Sequence, residues 1–173
     1  MNSVFYNELE LSLLNSNSKD RKKWANTIIN ENISIQELAE LLKLEKKIAL
    51  RFQWLLTEIG LINPEKLLLE LPFLLKLSNN ISHFDFTIAF ATYWQITSVP
   101  IQNESKAIEL LFEWIKNPEI NITIKTRALE VLHKLTDKYP ELKNEFKNCL
   151  EILLEISEDK FKTKVNRIIK QLS

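Results

Sequence analysis

Every other helical segment of this chain carries the same apolar stripe, and the stripe returns at nearly constant spacing. Ile48, Phe52, Leu55, Leu56 and Ile59 shift by 38 residues onto Phe86, Phe90, Tyr93, Trp94 and Thr97. Another 38 reaches Ile124, Ala128, Val131, Leu132 and Leu135, and 37 more reaches Phe161, Val165, Ile168, Ile169 and Leu172. Thr97 alone among these is neither apolar nor aromatic, and the pattern within each set follows one helical face. The intervening segments register too: Leu67, Leu68, Leu71, Leu74 and Leu75 shift by 40 onto Ala107, Ile108, Leu111, Trp114 and Ile115. A unit of this length holding two helices predicts stacked helix pairs, because one antiparallel pair buries only one of its sides.

Local signals place the segments. No period-2 stretch competes with the i, i+3, i+4, i+7 pattern. Ser34-Ile35-Gln36-Glu37 has capping-box form, and Asn63-Pro64-Glu65 sets a cap before a first-turn proline. Gly60 follows an apolar run and suits a left-handed position just past a helix end. Pro118 and Pro140 close two further segments. The expected helices cover 3–15, 18–31, 34–44, 45–60, 64–78, 82–97, 104–117, 121–138, 140–157 and 159–172. The expected architecture is all-α: one domain over 1–173, with an irregular pair in 1–33 and four pairs in 34–173. Stacked in order, about five pairs would form a right-handed α-α superhelix, a short solenoid. The last helix would supply a polar outer side through Lys160, Lys162, Lys164, Arg167 and Lys170.

Two stretches carry a resemblance. Ile124-Lys125-Thr126-Arg127-Ala128-Leu129-Glu130-Val131-Leu132 resembles the second helix of a HEAT repeat. Leu67-Leu68-Leu69-Glu70-Leu71-Pro72-Phe73-Leu74-Leu75 resembles a first helix with its mid-helix proline. Glu119, six residues before Lys125, is similar to the acid–base ladder of that family, whereas the other repeats lack both partners. The resemblance implies a HEAT-like member of the ARM-type superfamily. From Lys47 to Leu172 the order of elements is also similar to a group of short bacterial all-helical proteins often labelled adenylosuccinate lyase. The lyase superfamily carries a signature loop with a catalytic serine and histidine chemistry. No Ser-Ser-x-Met-Pro occurs here, the sole methionine is Met1, and the histidines are His83 and His133. That likeness therefore implies a fold and no active site.

Composition narrows the chemistry. A chain of 173 residues with one glycine has no Gly-rich phosphate loop and no dinucleotide fingerprint. Its 23 basic and 23 acidic residues give zero net charge, which argues against a dedicated nucleic-acid binder and a polybasic membrane-surface protein. One cysteine, Cys149, fits a reducing compartment and reads as a small residue at the core edge. Residues 1–8 lack a charged segment followed by an apolar one, so the expected location is cytoplasmic. Two histidines without HExxH or CxxC spacing predict no metal site, and no cofactor is expected. His83 beside Asp85 reads as helix-start polarity, and His133 as a surface residue. No catalytic residue is assigned.

The candidate partner-binding residues are Trp54, Arg51, Arg127, Lys164 and Arg167. Trp54 lies about 140° from the apolar stripe of its helix, and its repeat equivalents are Thr92, Glu130 and Arg167. Such an aromatic is either a binding anchor or a docking point for the irregular N-terminal helices. Trp24, Trp94 and Trp114 sit in apolar stripes and read as core. Arg51, Arg127 and Lys164 occupy equivalent positions, with Ala89 in the remaining repeat. They form either a basic ridge or a solvated flank whose stems cover the core edge.

Three functions follow. The leading expectation is a non-enzymatic module that binds a partner protein or peptide on the surface built by the second helices. The alternative is a nucleic-acid-binding protein similar to DNA-alkylation-repair HEAT proteins, with Arg51, Arg127, Lys162, Lys164 and Arg167 for charge, Trp54 for stacking and Asp85 as carboxylate. Adenylosuccinate lyase activity ranks last.

Overall fold

The computed structural model describes residues 3–83, 85–156 and 159–172. Ten α-helices run through them: α1 (Ser3–Ser12), α2 (Ser18–Asn30), α3 (Ile35–Leu38), α4 (Lys46–Ile62), α5 (Pro64–Ser78), α6 (Thr87–Thr97), α7 (Glu104–Lys116), α8 (Ile122–Lys138), α9 (Leu142–Ile156) and α10 (Asp159–Leu172). Short 3₁₀ turns fill Leu13–Asn15, Ala39–Lys43 and Ile101–Asn103. No strand occurs among the described residues. The expected helix end at 157, the side chain of Lys160 and Phe84 beside His83 lie outside the described residues.

The expected segments form where the apolar period places them, and their ends follow local hydrogen bonding. Asn17 accepts from the Lys19 and Asp20 amides at 2.7 and 3.2 Å, while the Asn17 amide donates to Asp20 at 2.9 Å. This reciprocal box starts α2 with a pair of residues the helix-start motifs did not single out. Asn63 accepts from the Lys66 amide at 3.0 Å, and Pro64 opens α5. Pro72 lies inside α5.

Three local expectations change. The segment 34–44 is one α-turn followed by a 3₁₀ turn instead of a single helix. Tightening brings i and i+3 into line, so Leu38 and Leu41, and Ala39 and Leu42, are all buried. The sixth helix starts at Thr87 instead of 82, because the Asp85 carboxylate takes the Thr87 amide at 2.8 Å and the Thr87 hydroxyl. Such short-range bonding competes with helical turns upstream. Gly60 does not end a helix: it is buried inside α4, without positive φ. A Cβ there would lie 2.5 Å from Leu67 Cδ2, so its value is close approach of α4 and α5. Left-handed backbone falls instead to Asn32, at φ 50°, where the Ile33 amide reaches back to the Ile28 carbonyl at 3.0 Å.

The chain divides into two compact units, Met1–Gln102 and Asn103–Ser173. In the first, α2 packs on α4, α4 on α5 and α6, α5 on α6, and the Ala39–Lys43 turn on α4. In the second, α7 packs on α8 and α9, α8 on α9 and α10, and α9 on α10. The recurring stripe is the buried face throughout. Of its residues, all but Ile48, Phe86, Ile169 and Leu172 are buried, and those four are half-buried. Tyr93 and Trp94 pack against Phe90 with ring centroids 5.8 and 5.4 Å apart. Burial pushes the Tyr93 phenol far up, so it stays protonated and donates to the Gln53 carbonyl at 3.1 Å. Trp24, Trp114 and Cys149 are buried as well.

Two stability predictions follow from this packing. Leu56→Ala or Leu132→Ala should cost about 2–5 kcal/mol in denaturant unfolding, because both leucines are fully enclosed. Arg127→Ala should cost far less, and equal losses would mean the stripe is misassigned. Gly60→Ala should also destabilise: overpacking against enclosed Leu67 costs about 1–3 kcal/mol, against a helix-propensity gain of about 1 kcal/mol. Thermal melting of that variant reads the sign.

Candidate interaction site

Residues one helical turn apart share a face, so Arg51 and Trp54 of α4 stand side by side. The Arg51 guanidinium carbon sits 4.5 Å from the Trp54 ring centroid. From α2, Arg21 brings a second guanidinium to 5.1 Å from the same centroid. Trp54 nonetheless remains 40% exposed, while Arg21 is only 8% exposed. The outward tryptophan is thus both packed against the N-terminal helices and partly open to solvent.

Arg21 is held from below. One terminal nitrogen donates to the Ser16 carbonyl at 2.9 Å and to the Ser16 hydroxyl at 3.2 Å. Its Nε is buried without a hydrogen-bond partner among the described residues. Burial first, and the Arg51 charge second, disfavour the positive charge of Arg21, with Glu58 and Asp20 acting the other way. Neither acid forms an ion pair with it. Asp20 serves the Asn17 amide, and Glu58 accepts the Ser18 hydroxyl at 3.2 Å. Among the described residues no carboxylate lies within ion-pair distance of Arg21 or Arg51. Each guanidinium–ring contact contributes about 0.5–2 kcal/mol, which orients the cations without neutralising them.

The remaining expected site residues belong to the second unit. Lys164 of α10 pairs with Glu130 of α8, both largely covered. Its charge is therefore met within the protein. Arg167 is exposed on α10, and Arg127 is half-buried on α8. Lys125 is buried and makes no ion pair with exposed Glu119, so the ladder suggested by their spacing is not formed. The lysine lies a turn inside α8, whereas Glu119 precedes it. Burial lowers the Lys125 amine. His83 is exposed in the turn before α6, and His133 is half-buried on α8. Among the described residues, no group of three or more His, Cys, Asp or Glu side chains could hold a metal ion. No helix among them is long and apolar enough to cross a membrane.

One polar cluster escaped the sequence reading. Glu104, 7% exposed at the start of α7, accepts from Lys138 Nζ and the Tyr139 hydroxyl, each at 2.6 Å. Burial pushes its carboxyl up, but the two hydrogen bonds and the lysine charge outweigh this and leave it lowered. These groups join the beginning of α7 to the end of α8. Lys138-Tyr139 before Pro140 looks like an ordinary basic helix end, and only the antiparallel pairing brings Glu104 to it. No family model, curated protein or solved structure matches this chain.

A lowered carboxylate contributes stability that is present above its unfolded value, about 4.3, and lost as pH falls through the folded value. Glu104→Gln should therefore be less stable than the wild type at neutral pH, with the two denaturation midpoints converging on acidification towards pH 3. A gap that stays constant over that range would assign the loss to packing instead of charge.

Proposed function

We propose that the chain is a non-enzymatic HEAT-like interaction module that binds a partner protein or peptide on the surface built by the second helices of its repeats. The observation that carries this reading is the Arg51–Trp54–Arg21 cluster: a partly exposed aromatic under two guanidiniums without acidic partners. Tryptophan and arginine are the residue types that dominate binding energy where proteins meet. The succession of α2 on α4 on α6, and of α8 on α10, supports the assignment of stacked repeats. A right-handed superhelix of about five pairs is the arrangement proposed for them.

Tagged wild-type protein should enrich a partner from cells that Arg51→Glu loses, while the variant still melts cooperatively, within a few degrees of the wild type. Charge reversal at Arg127 or Arg167 tests the corresponding positions of the second unit. An enriched set unchanged by all three reversals would overturn the reading. Recovery that depends on nucleic acid and weakens steeply with salt would favour the nucleic-acid alternative.

A further inference from the structure

The Arg51–Trp54–Arg21 cluster also defines what kind of group it takes. We propose that it is a docking site for the carboxylate of an acidic peptide segment, an inference that rests on reading the chain as an interaction module. Arg51 is half-buried and supplies the reachable fork. Arg21 lies enclosed with its guanidinium 5.1 Å from the centroid of the same ring and supplies positive potential from a position that water barely screens. A buried cation with an unpartnered Nε is costly, and an arriving anion offsets part of that cost.

Charge count selects the anion. Asp20 and Glu58 act on Arg21 without pairing with it. Either anion meets repulsion from both acids, and a carboxylate with one negative charge meets less of it than a phosphate dianion with two. A planar guanidinium matches a planar carboxylate through two parallel hydrogen bonds. The open part of the Trp54 ring then provides an apolar surface for the aliphatic stem beside the carboxylate. Aspartate or glutamate in an extended segment has this combination.

The test is an NMR titration of the full chain, following the tryptophan indole and arginine Nε–H signals, with Trp54→Phe assigning its indole. The probes are blocked tetraglutamate, blocked tetraglutamine and inorganic phosphate. Tetraglutamate should give saturable shifts at Trp54 that weaken with added salt. Arg51→Gln should weaken them about tenfold, as expected for loss of a charge-assisted pair worth about 1.4 kcal/mol, and Arg51→Lys should weaken them less. Should Arg51→Gln fail to fold, Arg51→Lys provides the comparison. Equal shifts with tetraglutamine, tighter saturation by phosphate, or titrations insensitive to Arg51 would each overturn the proposal. Arg51-dependent capture of a partner with a silent tetraglutamate titration would remove the carboxylate assignment alone. Tetraglutamate binding without any captured partner would remove the module reading alone.

Discussion

An amphipathic helix cannot enclose its own apolar stripe, so each long helix of this chain depends on its neighbours for burial. The dependence is visible in α4. Its stripe of Phe52, Leu55, Leu56 and Ile59 is covered only because α2, α5, α6 and the Ala39–Lys43 turn close around it. The same holds for α8, whose Ala128, Val131, Leu132 and Leu135 are enclosed among α7, α9 and α10. Close approach is part of the same requirement. The single glycine stands where α5 sends Leu67 against α4, and any side chain there would contend with that leucine.

Polar groups that cannot escape burial are handled in two ways. Glu104 is met by Lys138 and Tyr139, and Tyr93 by a backbone carbonyl, so enclosure is compensated by hydrogen bonds. Arg21 is compensated only in part. Ser16 takes one terminal nitrogen, the Trp54 ring takes the face, and Nε is left over. The Glu104 carboxylate is thus met on all sides, whereas the Arg21 guanidinium is met on some only. The Arg21 contact also explains why Trp54 is a docking point for α2 and still partly open: α2 offers it a cation instead of an apolar seam.

Some of this was legible along the chain and some was not. Arg51 and Trp54 could be placed together because they lie one turn apart off the apolar stripe, and Lys164 because it repeats the Arg51 position. Arg21 was not legible. It sits among Lys19, Asp20, Lys22 and Lys23, where a charged residue reads as solvated. Nor could the Lys164–Glu130 pair be foreseen, although it removes Lys164 from any basic ridge. The capping signal at Ser34 was right about the start and wrong about the continuation, because burial of Leu38, Ala39, Leu41 and Leu42 asks for a tighter turn than an α-helix provides.

By itself the sequence determined that the chain is helical and which face of α4, α5, α6, α7, α8 and α10 is buried. Both are consequences of local periodicity: side chains three and four apart meet on one side whatever the rest of the chain does. Only tertiary structure decided which polar residues meet, as Arg21 with Trp54 and Glu104 with Lys138. Those meetings depend on how distant helices are set against each other, and hydrophobic stripes select a face without naming the polar neighbours along its rim.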